Sequence, residues 1–130
     1  MYMLDTNTLI YFFKGMGNVA EVLLSKSPKD IKIPAVVIFE LEVGIAKSSS
    51  PNKRIKQLEE LTSVIETIPF GAREAKMSAS IRADLEKSGT PIGPLDLLIG
   101  GTAAAHGATL VTRNISEFER IKKLRIENWY

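Results

Sequence analysis

Hydrophobic positions along the chain fall in short blocks that alternate between strand-like runs and helical spacing. Met1-Tyr2-Met3-Leu4 is a compact apolar run that stops at Asp5-Thr6-Asn7, whose side chains can accept from the free N–H groups of a starting helix. The pattern predicts a buried strand and then a helix with Leu9, Ile10, Phe12 and Phe13 on its apolar face, ended by Gly15 and Gly17. A short helix over Val19 to Ser25 follows, and Lys32-Ile33-Pro34 predicts a very short strand. Ala35 to Lys47 has no breaker before Gly44 and is too long for an average strand. It predicts a helix that is apolar on nearly all sides and hence buried.

After the Ser48-Ser49-Ser50-Pro51 loop, Ile55, Leu58 and Leu61 recur at helical spacing. The β-branched run Val64 to Phe70 predicts a strand, and Ala72 to Lys87 a long amphipathic helix with Ala75, Met77, Ile81 and Leu85 inward. Gly89 suits the position just past its end. Pro94 suits the first turn of a helix over Leu95 to His106, closed by Gly107. Ala108 to Thr112 is the clearest strand. A short helix over Ser116 to Ile121 and an edge strand within Leu124 to Trp129 complete the chain. Strands alternating with helices predict an α/β fold with a mostly parallel, doubly wound sheet, forming one domain over 1–130.

Composition narrows the chemistry. There is no cysteine, which excludes disulfides, thiolate metal sites and a Cys nucleophile. No apolar stretch approaches ~20 residues, so no membrane span is expected. Asp5 interrupts the first apolar run with no basic segment before it, unlike a signal peptide, which makes a cytoplasmic protein the default. The net charge of +2 is only mildly basic.

Three acids stand in apolar surroundings: Asp5 after the first strand, Glu40 in Val36 to Leu41, and Asp96 between Pro94-Leu95 and Leu97-Leu98-Ile99. Singly, Asp5 reads equally well as a helix cap, and Asp96 as a carboxylate that favours a helix N-terminus by roughly 0.3–1 kcal/mol. Periodicity does not separate Glu40 from Glu42. Sites in such sheets lie beyond the C-terminal strand ends, where Asp5, Asn114 and Glu117 all fall. Two carboxylates at ~4 Å repel by about 4 kcal/mol at an effective dielectric near 20, so three together need protons or a cation. Oxygen-only ligands suit Mg²⁺ or Mn²⁺, and with them phosphodiester or phosphoryl chemistry.

Rival chemistries lack residues. The one histidine, His106, lies at a helix C-terminus, and no Gly-rich phosphate loop is present. A receiver-type signalling domain would need a mid-chain aspartate, and none occurs between Asp30 and Asp84.

With these residues in hand, the chain resembles the PIN-domain ribonucleases, in particular the VapC-type toxins of bacterial toxin–antitoxin pairs. The matching stretches are Met3-Leu4-Asp5-Thr6-Asn7, Ile38 to Gly44, Pro91 to Ile99, Leu110 to Asn114, and Glu117-Phe118, in family order. The resemblance implies a PIN-like α/β/α sandwich with a mostly parallel central sheet and a metal-dependent endoribonuclease acting on structured RNA such as tRNA or rRNA. It selects Glu40 over Glu42 and maps Asp5, Glu40 and Asp96 onto the metal-binding acids, with Mg²⁺ (or Mn²⁺) as the cofactor.

Asn114 stands where many members carry a fourth aspartate, and Glu117 is a candidate for the missing charge. Thr6, Asn7, Thr112 and Ser116 are candidates to bond the ligands, with helix capping and turn bonding the alternative for each. The Asn114 departure opens a second reading, a catalytically weakened PIN-like binding or interaction module. Lys14, Lys47, Arg82, Arg113 and Arg120 are candidates to hold an RNA backbone. The family also implies a homodimer and a cognate VapB-type antitoxin whose C-terminal segment covers the active site. Tyr11-Phe12-Phe13 is a candidate for either contact.

Overall fold

The computed structural model describes residues 1–130. Five short strands are β1 (Tyr2–Leu4), β2 (Ile31–Pro34), β3 (Glu66–Ile68), β4 (Thr109–Val111) and β5 (Arg125–Glu127). They form one sheet in the order β3-β2-β1-β4-β5, with every pair parallel. Registers such as Tyr2↔Ile31 and Tyr2↔Thr109 put β1 at the centre. The central strands are apolar because both faces of the sheet are covered: Met3, Leu4, Ile31, Ile33, Leu110 and Val111 are fully buried.

The helices are α1 (Thr6–Lys14), α2 (Val19–Leu24), α3 (Ala35–Lys47), α4 (Asn52–Thr62), α5 (Ala72–Lys87), α6 (Pro94–Ala105) and α7 (Ile115–Phe118). The chain runs outward from β1 through β2 to β3 with α1–α4 in the connections, then crosses back through α5 and α6 to β4 and on through α7 to β5. This is the α/β sandwich expected from the alternation of elements. No helix is long and apolar enough to cross a membrane.

Three local expectations change. In α3 only Val37 and Leu41 are buried, and Phe39 is 56% exposed. A helix in an outer layer meets the sheet on one side, and nothing lies beyond it to cover the other. In α5 the inward stripe is Glu74, Ser78, Ile81 and Leu85, while Ala75 faces out and Met77 is half-buried. The stripe includes Glu74 because that carboxylate is satisfied: Oε1 accepts the Gly71 N–H at 2.8 Å and Oε2 accepts His106 Nε2–H at 2.7 Å. The Gly71 N–H and the His106 ring therefore outweigh desolvation and hold its carboxyl below the usual range. His106 caps α6 as expected, and it also joins that helix end to the start of α5. Finally, the strand expected over Val64–Phe70 shortens to Glu66–Ile68, since Val64 lies outside the pairing with β2 and is exposed.

Candidate active site

The switch point of the sheet lies between β1 and β4, where the chain leaves the centre in both directions. Asp5 ends β1 and caps α1: its Oδ1 accepts the Thr8 N–H at 2.9 Å, and its own N–H donates to Val111 O at 3.1 Å. The Thr8 hydroxyl also donates to Val111 O at 3.1 Å, tying the first turn of α1 to β4. Sequence reasoning passed over Thr8. The sign of it was a fourth small polar residue in Asp5-Thr6-Asn7-Thr8, at a position whose neighbour Leu9 is core.

Asp5 is 5% exposed. Burial raises its carboxyl above the usual range, hydrogen bonds from Thr112 and Thr8 pull it back, and the Glu40 charge adds to the rise. Thr112, fully buried after β4, also accepts the Asn114 N–H at 3.0 Å. Its position thus links Asp5 to the loop that carries Asn114.

Glu40 projects from α3 toward the same point. Its Oε1 accepts the Thr6 hydroxyl at 2.6 Å, whereas Glu42 is exposed on another side of the helix. Asp96 enters from the first turn of α6, two residues after Pro94. Its carboxyl is pushed up to about 6, first by burial, then by the charges of Glu117, Asp5 and Glu40, and by a hydrogen bond with Glu117. Glu117 comes from α7 and is itself bonded by the Asn114 side-chain amide. The Asn114 amide therefore orients a carboxylate beside Asp96. Asn7 and Ser116 are exposed, and their side chains bond none of these acids.

Four carboxylates from four different elements thus face one another, and the fold opposes their charge with no lysine or arginine ion pair. A proton held on Asp96 relieves part of the repulsion, and a divalent cation would relieve more. The donors are all oxygens, which fits Mg²⁺ or Mn²⁺. No three of them close into a single ion's ligand shell.

The raised Asp96 carboxyl makes stability depend on pH in a defined direction. The folded state binds this proton more tightly than the unfolded chain, so its contribution is complete below pH ~4 and lost as pH rises through about 6. In chelator, Asp96→Asn should match wild type near pH 4 and exceed it by about 1 kcal/mol at pH 7. That figure is the full shift reduced for partial exposure. Denaturant melts at both pH values measure the difference, and an advantage that is the same at both would contradict it.

Residues 2–124 match the PIN domain family. The chain is 35% identical over 128 residues to the tRNA(fMet)-specific endonuclease VapC of Salmonella typhimurium, covering 98% of this chain and 97% of that one. It is 38% identical over 133 residues to the ribonuclease VapC2 of Rickettsia felis, covering 99% and 98%. Among solved structures, it superposes on DNA-bound VapBC from S. typhimurium with TM-score 0.92 and 35% identity, covering 99% of this chain and 98% of that one. VapBC2 of R. felis bound to a promoter DNA fragment gives 0.91 and 37%, with the same coverage. An α/β sandwich with a cluster of carboxylates at its switch point is the frame of a PIN-domain nuclease. The chain belongs to the PIN-domain family, and within it to the VapC-type ribonuclease toxins.

Proposed function

We propose that this chain, as one PIN domain over 1–130, is a Mg²⁺- or Mn²⁺-dependent endoribonuclease and the toxin of a VapBC-type pair, cleaving structured RNA. The observation that carries this reading is the placement of Asp5, Glu40 and Glu117 around Asp96 at the sheet's switch point, close enough that each raises its carboxyl. Asp5, Asp96 and Glu40 would hold the cation directly or through its waters, with Glu117 as the fourth charge. When bound, the cation supplies a nucleophilic water at neutral pH and neutralises charge developing on the phosphodiester. Thr6 fixes the Glu40 carboxylate, Thr112 and Thr8 fix Asp5, and Asn114 fixes Glu117. Because Asn114 steers Glu117 toward Asp96, its presence in place of an aspartate does not favour a weakened binding module.

The names of the relatives make tRNA, the initiator tRNA first, the substrate to test, with rRNA second. The DNA-bound VapBC complexes support a cognate VapB-type antitoxin as partner. Purified protein should cut tRNA with Mg²⁺ or Mn²⁺, stop on addition of chelator, and resume when metal is returned. Cleavage that persists unchanged in chelator would refute the metal-dependent mechanism.

A further inference from the structure

Beside Glu40 a groove of about 570 Å³ runs between α1, α3 and the start of α4. Its charge is lopsided. Glu40 is its one carboxylate, against Lys14, Lys53 and Arg54, and none of these three cations is in an ion pair.

Three of its residues also sit against the preferences of their own helices. Lys53 and Arg54 occupy the first turn of α4, where the helix dipole disfavours cations and no acid compensates them. Gly44 lies inside α3, where glycine is less favourable than alanine. No packing explains it, because a Cβ there would meet nothing within 4 Å. Gly44 is one turn beyond Glu40 and so shares its face of the helix. Arg54 is held in place by the Phe13 ring, 4.8 Å from its guanidinium carbon. The Phe13 carbonyl in turn accepts from Gln57 at 3.1 Å.

We propose that this groove carries the RNA strand on one side of the cleaved bond, with Lys14, Lys53 and Arg54 on its phosphates and Gly44 admitting its backbone. The proposal rests on the ribonuclease reading above. Two uncompensated cations at a positive helix end and a glycine facing open space each lower stability locally, and all of them line one groove beside one carboxylate. An anionic polymer passing close to Gly44 gives each of them a purpose. Lys14 alone has a local use, at the C-terminus of α1.

The test measures stability and RNA binding together. Binding of a labelled single-stranded RNA oligonucleotide and of tRNA is measured in the Asp96→Asn protein, and cleavage in the wild-type background. Lys53→Gln with Arg54→Gln should weaken RNA binding about tenfold and reduce the slope of log Kd against log salt by about 1.4, two phosphates at ~0.7 each. In cleavage it should raise KM and leave kcat near wild type. Gly44→Ala should raise Tm by about 2–5 °C and still weaken RNA binding severalfold. Lys122→Gln with Lys123→Gln, before β5 and so at the opposite end of the sheet, should change neither binding nor cleavage.

If wild type cleaves RNA and the groove variants bind and cleave like it, the groove assignment is overturned while the nuclease reading stands. The assignment is overturned equally if the variants lose only binding of a VapB-type antitoxin, since the groove then serves a protein. If wild type itself cleaves no RNA with metal, the underlying reading fails first.

Discussion

Asp96→Asn and Asp5→Asn should each lower RNA cleavage by at least about a hundredfold, while circular dichroism and melting should still show a folded chain. Losing a group that only orients a ligand costs roughly 10–100-fold, so losing a carboxylate offered to the cation lies at or beyond the top of that range. The fold should survive because an amide keeps the shape of the carboxylate. At Asp5 the amide oxygen still accepts the Thr8 N–H. At Asp96 the exchange removes repulsion from Glu117, Asp5 and Glu40. The pair separates mechanism from stability: Asp96→Asn should be the more stable protein in chelator at pH 7 and still the inactive one. In wild type, Mg²⁺ should raise Tm. In Asp96→Asn that rise should shrink or vanish. Equal activity of either variant and wild type under saturating metal would remove that acid from the site.

Gly101→Ala should lower stability by about 2–3 kcal/mol, read as a Tm fall of roughly 8–15 °C. A Cβ on Gly101 would lie 1.9 Å from Ser78 Oγ, 2.8 Å from its Cβ and 2.9 Å from its Cα. The last contact is backbone, so a rotamer change in Ser78 cannot absorb the added methyl, and α5 must move away from α6. The gain in helix propensity from alanine, about 1 kcal/mol, offsets only part of this. Ser78→Ala should behave in the opposite way. The Ser78 hydroxyl is buried with no hydrogen-bond partner, so removing it leaves stability equal or slightly higher. Because α6 presents Asp96 at its other end, Gly101→Ala should also reduce cleavage beyond what the unfolded fraction explains.

Much of the fold was legible because local physics determines it. The cap at Asp5, Pro94 at the first position of α6, and the left-handed glycines Gly15, Gly89 and Gly107 after helices, stand where turn chemistry requires them. Errors came where a neighbour, rather than the segment, decides burial. Nothing within Ala35–Lys47 tells that its outer side lacks a covering layer. Nothing within Ala72–Lys87 tells that Glu74, not Ala75, turns inward, because the partner that makes this cheap is His106, 32 positions away.

The candidate site divides along the same line. The chain by itself determined that strands alternate with helices, that only one histidine and no cysteine compete with oxygen donors, and that Asp5 and Asp96 stand at a strand end and a helix start of an α/β sheet. These follow from side-chain chemistry and local periodicity. Tertiary structure alone decided that β4 lies beside β1, which brings Thr112 and Thr8 to Asp5 and hangs Glu117 next to Asp96. It turned Glu40 toward Thr6 and Glu42 to solvent, and it made Asn114 the partner of Glu117. Which carboxylates repel one another depends on distances between residues remote in sequence, and the order of strands in the sheet sets those distances.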